Sequence, residues 1–422
     1  MPSKTPELRN SPAASKPTGR HFFFNPGPTN IPDRVLGALH RTSMDFMGAE
    51  FAAIQNRVHT GIMRLLGTKQ HLLLYAANGH GAWEASLVNC FSPGEKLLAL
   101  ESGHFANNWA EMARDLGYDV ELLRADWRTG VAPASLEKRL KADTKGEIKG
   151  VLVVHNETAT GVVHPLPEMR RAIDAAGHKA LLLADAISSF GSIDLRMDEW
   201  GLDIVVAGSQ KGLMMVTGMS LTGISEKAMA RSKSVTTPRG YWNWPYLLSA
   251  KPQRFPGTSP VHLFCGLDEA VKMIDEEGFD GVLARHHRFG LATRAAVAAW
   301  GKGASRGKAT VTLAGITGKI NGIEVMCTEP TRPSDSVTTI LVPDGHDANA
   351  LRTLANDRYN LALGGGLGPL QGRAFRIGHL GDLNAPMLLG AIATTELALA
   401  EAGIPHTPGG VQAAIQSLRE TA

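Results

Sequence analysis

Chemistry in this 422-residue chain is suggested first by what stands where apolar runs stop. Lys211 follows DIVVAGSQ (203–210), Asp185 closes the run LLLAD, and a glycine-rich NGHG (78–81) follows LLLYAA (72–77). In open α/β sheets such positions, just beyond the carboxyl ends of strands, are where ligands bind. Each residue also has an ordinary reading. Lys211 could be a solvated boundary charge or a nucleophilic amine. A carboxylate after four apolar strand residues is costly unless paired or wet, so Asp185 could serve an ion pair, a cap or a metal. NGHG could be a tight strand–helix turn, or a cradle of backbone N–H groups for a phosphate. It is neither a Walker A loop nor GxGxxG.

Taken together, the three suggest pyridoxal 5'-phosphate. That cofactor needs a phosphate cradle, a lysine amine for covalent attachment and an acid that keeps the pyridine nitrogen protonated. Asp185 would stabilise the cationic ring. Lys211 would attach the cofactor and, once displaced by a substrate amine, move the α-proton. No metal is expected, because His155, His164 and the His286-His287 pair lack a ligand pattern.

The elements that must hold these residues alternate along the chain. A helix is expected over 52–67, where Ile54, Val58, Ile62, Leu65 and Leu66 keep helical spacing and Gly67 can stop it. Strands are expected in 72–77, 95–102, 118–125, 150–157, 180–186 and 203–210, with amphipathic helices between them. Residues 218–225 read as an edge or returning strand. Continuous Val, Ile and Leu runs argue for a mostly parallel sheet covered on both faces. The aromatic, proline-rich stretch 232–260 is expected to run over the surface. HFFFNPGPTNIP (21–32) reads as an extended segment that turns sharply and docks onto the body. Residues 305–422 supply shorter strands and helices, as in an α+β domain. The expected organisation is a flexible arm over 1–20, a large domain over 21–285 and a small C-terminal domain over 286–422.

Composition bounds the rest. A 43% apolar, 20% charged chain of this length has enough apolar sequence for a large core. A net charge of +3 with scattered lysines and arginines offers no nucleic-acid footprint. No apolar run is long enough to span a bilayer, so no membrane partner is expected. Three dispersed cysteines suit a reducing compartment, and the cytoplasm is the expected location.

At this point the motifs carry a family resemblance. GSQKG with Asp185 upstream, HNETATGVVHP (155–165), NPGPTNIP (25–32) and RIGHLGDLN (376–384) resemble the class V, fold-type I aminotransferases. The similarity is greatest to the serine–glyoxylate and alanine–glyoxylate branch, and it covers nearly all of the chain after residue 20. It implies a mostly parallel seven-stranded sheet flanked by helices. It also implies that Gly79, His80, Gly81 and Gln210 hold the phosphate of the cofactor. Phe105 would lie over the ring, Thr158 near the ring oxygen, and Arg376 would clamp a substrate α-carboxylate, helped by Gly27 and Asn30. Thr258 would reach the phosphate of a neighbouring subunit, which makes an obligate homodimer with shared active sites.

The implied reaction is a ping-pong transamination from a small amino acid to a 2-oxo acid such as glyoxylate. The alternatives are a less polar donor, pyruvate as acceptor, or a lyase of the same fold. Three departures from the branch pattern bear on the substrate. SMDFMGAEF (43–51) has Phe46 and Met47 where relatives carry His-Arg, which points to a greasier site. Phe255 replaces a tyrosine, and Gly257 replaces a bulky aromatic.

Overall fold

Seven of the apolar segments assemble one sheet. Its spatial order is His71–Tyr75, Ser220–Ile224, Ile204–Gly208, Leu181–Asp185, Ile148–Val154, Lys96–Leu100 and Asp119–Leu123. The structure is a computed structural model that describes residues 18–305 and 307–421. The arm expected over 1–20 therefore lies almost wholly outside the described residues.

Side chains alternate across this sheet with the two-residue period of a strand. Leu98, Val151, Leu182, Ala184 and Val205 enter one buried cluster; Leu97, Leu152, Leu183 and Val206 enter another on the opposite face. Burial on both faces is the reason these segments read as continuous apolar runs rather than alternating ones. Each fully buried Leu, Ile or Val contributes about 1.5–3 kcal/mol relative to exposure.

The segment expected at an edge or returning proves to return inside the sheet. Ser220–Ile224 runs antiparallel to both neighbours, His71–Tyr75 and Ile204–Gly208. The remaining pairings in this sheet are parallel. The helix expected over 52–67 spans Ala49–Leu66 and ends at Gly67 in the left-handed conformation. A short helix, Asp33–Leu39, has too few buried positions to show as a periodic pattern, since only Val35 is buried.

The stretch 232–260 departs from expectation. Trp244 and Leu247, on the short helix Trp244–Leu247, are fully buried, and the Trp244 indole donates to the Tyr75 hydroxyl at 2.8 Å. Gln253 is buried too, donating to the Leu74 carbonyl at 2.6 Å. This stretch covers the outer strand of the sheet, a task that needs particular anchors rather than helical or strand periodicity.

A second sheet is ordered Phe22–Phe24, Leu361–Gly365, Ala374–Gly378, Val337–Leu341 and Glu324–Val325. Its first strand comes from the N-terminal segment and pairs parallel with Leu361–Leu363. The helices Ala348–Tyr359 and Ala385–Glu401 bury Leu351, Leu388 and Ile392 in its core cluster. The helix Phe279–Trp300 contributes Phe289 and Trp300 to the same core. Beyond Phe24 the chain passes close against Gly364 and Gly378 through Asn25 and Pro26. It then reaches the first sheet, where the Thr29 amide donates to the Gln210 carbonyl at 3.2 Å. The N-terminal segment thus stitches the two sheets together. Among the described residues, no helix is long and apolar enough to cross a membrane.

Candidate active site

Strand register brings the acid and the lysine together. Asp185 is the last residue of its strand and pairs with Val206, so the turn carrying Gln210 and Lys211 begins beside it. Both point into a cavity of about 230 Å³ at the carboxyl ends of the parallel strands. Gly27, Gly79, His80, Phe105, Thr158 and Gln210 complete the wall among the residues expected from sequence.

The NGHG turn is the start of a helix. Asn78 caps Gly79–Cys90, its side chain accepting from the His80 amide at 3.1 Å. The first-turn N–H groups of this helix are a place where an anion is stabilised. Gly79 packs so tightly on Ile187 that a Cβ there would collide with that side chain. Gly81 faces away from the cavity wall, toward Ala77 and Trp242.

Asp185 is buried, with two donors holding it. The Ile187 amide donates to Oδ1 at 2.7 Å and the Trp83 indole N–H to Oδ2 at 3.1 Å. Burial pushes its carboxyl up to about 7, and the negative charge of Glu157 adds to this; the Ile187 amide, Trp83 and Lys211 oppose it. Lys211 is equally enclosed and donates to the Pro26 carbonyl. Burial pulls its amine down to about 7, helped by the charge of Arg376 and opposed by Asp185. An amine at that position can lose its proton near neutrality and act as a nucleophile.

Arg376 sits on the Ala374–Gly378 strand of the second sheet. Its Nε donates to the Gly365 carbonyl at 2.7 Å and its Nη1 to the Thr158 carbonyl at 3.1 Å. Burial pulls the guanidinium down to about 10. The Arg376 charge bears on Lys211, although Arg376 is not part of the cavity wall. Asn30 donates to the Phe23 carbonyl at 2.8 Å, a bond that holds the N-terminal segment rather than facing the cavity. Thr258 is exposed and away from the cavity. Phe46 and Met47 lie on the surface, at 40% and 80% exposure, so within one chain they do not make the cavity greasier. Phe255 packs edge-on against Phe264.

Several residues of the site went unremarked in the sequence. Trp83 binds Asp185 from one turn into the helix that NGHG opens. Ile187 and Ser188 form wall directly after Asp185, and Ser188 accepts from the Thr158 hydroxyl at 2.7 Å. Glu157 lies past the strand Ile148–Val154 with His155 and Asn156 between, so it lacked the signal that singled out Asp185.

The residues present fit pyridoxal phosphate. The cavity offers an amine and a carboxylate on one wall and a helix start on another. Gln210 brings a buried Oε1 without a partner, and half a turn of its amide would present the NH₂ group to an anion. The Gly79 cradle would close if it carried a Cβ.

Comparison with known proteins points to the same cofactor. The class-V aminotransferase family model matches residues 21–366. The serine–glyoxylate aminotransferase of Methylorubrum extorquens is 42% identical over 416 residues, covering 97% of this chain and 98% of that protein. The L-aspartate–glyoxylate aminotransferase of Paracoccus denitrificans is 39% identical, over 96% of this chain and 98% of that one. Among solved structures, the pyridoxamine–pyruvate aminotransferase of Mesorhizobium loti superposes with a TM-score of 0.86 at 26% identity, covering 98% of this chain and all of that one. With a lysine and an acid sharing a cavity suited to the cofactor, the chain belongs to the class-V aminotransferase family and is a pyridoxal-phosphate-dependent aminotransferase.

Proposed function

We propose that this enzyme carries the amino group of a small amino acid to glyoxylate by ping-pong transamination. The observation that carries the assignment is that Lys211 and Asp185 face one cavity, the lysine poised to lose its proton near neutrality. The names of the two relatives described above support glyoxylate as acceptor. When bound, pyridoxal phosphate supplies an electron sink that stabilises negative charge at the substrate Cα.

Lys211 would be the point of attachment for the cofactor, and its amine, once free, would take the proton from the substrate Cα and return it to the cofactor carbon that carried the lysine. Asp185 would partner the pyridine nitrogen as a carboxylate, a charge state that a cationic ring favours over the neutral acid. Gly79, His80 and Gln210 would hold the phosphate through the helix start and the amide, with Gly81 serving the turn, its amide donating to the Asn78 carbonyl at 3.0 Å. Phe105 would cover the ring and Thr158 would stand near its oxygen, both being residues of the cavity wall. Arg376 would offer the remaining donors of its planar fork to the substrate carboxylate, while Gly27 lines the mouth and Asn30 acts through the N-terminal segment it holds.

A homodimer with shared sites completes this reading. Thr258 is exposed in one chain, and Phe46, Met47 and Tyr246 expose apolar surface that a second copy would bury. Residues 21–285 would form the large domain and 286–422 the small one. Three unpaired cysteines fit a reducing compartment, the cytoplasm. They do not support a desulfurase of the same fold. None lines the cavity, and burial pushes the Cys90, Cys265 and Cys327 thiols up, away from the reactive thiolate.

The substrate is tested by measuring kcat/KM for serine, aspartate and alanine as donors, each with glyoxylate and with pyruvate. Higher kcat/KM with glyoxylate for at least one of these donors supports the proposal. Preference for pyruvate with every donor contradicts it.

A further inference from the structure

Glu157 is a fully buried acid between two cavity residues, Asn156 and Thr158. Its Oε2 accepts from the amides of Phe105 and Ala106, each at 3.1 Å, and its Oε1 from the Ala159 amide at 3.1 Å. All these partners are donors. A proton on the acid would face no acceptor among them, so the carboxylate is the form the surroundings match, even though burial alone favours the neutral acid.

Two of those amides belong to the first turn of the helix His104–Asp115, whose N-cap is Gly103 and carries no side-chain cap. A Cβ at Gly103 would run into the Glu157 side chain. The cap that a local Ser or Asp ordinarily supplies therefore comes from a distant segment, and the glycine leaves room for it. The Phe105 amide reaches both oxygens, Oε2 at 3.1 Å and Oε1 at 3.3 Å, and the Phe105 ring is part of the cavity wall.

Glu157 also feels the charge of Arg376. The two charges attract, each favouring the charged form of the other, yet no ion pair between them closes to 4 Å among the described residues. Arg376 instead bonds the carbonyl of the next residue, Thr158, at 3.1 Å. Glu157 thus lowers the local positive potential without occupying the guanidinium.

We infer that Glu157 is a positioning residue for transamination: its carboxylate fixes the Phe105 wall by capping that helix, and its charge moderates the grip of Arg376 on a substrate carboxylate. The inference rests on the roles given above to Phe105 and Arg376.

Glu157→Gln removes the charge and leaves one acceptor oxygen for three amides. Titration of the apoprotein with pyridoxal phosphate should show its Kd rise on the order of tenfold, the scale of a hydrogen bond to a charged group. Acetate, a carboxylate that cannot react, should bind the cofactor-saturated variant roughly threefold more tightly or better, because a nearby negative charge is gone. Opposite signs are the signature, since loosened packing would weaken both. Glu157→Asp keeps the charge with a shorter reach, so it should bind the cofactor less tightly and leave acetate affinity unchanged. Acetate binding that weakens or stays constant in Glu157→Gln overturns the inference, as does unchanged cofactor affinity. Arg376→Lys, measured alongside, separates the causes. Lost acetate affinity in Arg376→Lys with no gain in Glu157→Gln overturns the role of Glu157 alone. Unchanged acetate affinity in Arg376→Lys overturns the clamp and the inference with it.

Discussion

Lys211 lies against Gly27: the lysine amine donates to the carbonyl of Pro26, and a Cβ at Gly27 would fall where the lysine side chain runs. Gly27 also has φ of +124°, a conformation that L side chains rarely adopt. Gly27→Ala should displace Lys211 and lower kcat/KM on the order of 10²-fold, the cost of a misplacement of about 1 Å. Steady-state kinetics together with the absorbance of the lysine-linked cofactor check this. Normal kinetics would show that the segment and the lysine are not coupled.

The rate at which apoprotein captures the cofactor should depend on pH in a stated direction. Burial holds the Lys211 amine at about 7, below its usual 10.5. The neutral nucleophile is scarce below that value and predominates above it. Capture should therefore accelerate as pH rises through about 7 and level off beyond it, where an unperturbed lysine would keep accelerating toward 10.5. Stopped-flow absorbance across pH 6–10 reads the profile. Lys211→Ala should show no lysine-linked band at any pH.

Trp83 and Asp185 form the second coupled pair. Trp83→Phe keeps the ring that stacks on Trp109 but removes the N–H to Asp185. Loss of a hydrogen bond to a charged group should cost about 1.5–3 kcal/mol. That cost should be larger in the holoenzyme, where the carboxylate form is required, than in the apoprotein. Asp185→Asn should lower kcat on the order of 10²-fold, comparable to losing one preorganised electrostatic partner. Equal destabilisation of apo and holo Trp83→Phe would remove the indole from the cofactor site.

Legibility from sequence followed the physics of each element. Asp185 and Lys211 stood out because a charge ends an apolar run, and the same run fixes the strand that carries it. Glu157 lacked this signal, since His155 and Asn156 separate it from the apolar run, and its partners, the backbone amides of 105, 106 and 159, leave no mark in a sequence. Trp83 reads as core because its ring is core; only its N–H serves the site. Trp244 was hidden by its surroundings, since Pro, Gly and polar neighbours masked a buried anchor. The Ser220–Ile224 strand was visible as a strand, but not its interior place, which depends on pairing with His71–Tyr75 from far along the chain.

Arg376 provides a test of how substrate is held. Arg376→Lys keeps a positive charge but loses the planar fork, so KM for both donor and acceptor should rise on the order of tenfold or more. A shared change is expected because one guanidinium serves both carboxylates in turn. A rise for only one of the two would assign the other carboxylate to a different group.

The central claim is tested most directly by a single-turnover measurement on purified, cofactor-saturated enzyme with an effective amino donor and no acceptor. Transamination that returns through glyoxylate should release one equivalent of oxo acid per active site and stop, with loss of the lysine-linked absorbance. Glyoxylate should then restore that absorbance and permit continued turnover. Continued release of oxo acid and ammonia without an acceptor, or no restoration on adding glyoxylate, would contradict the account.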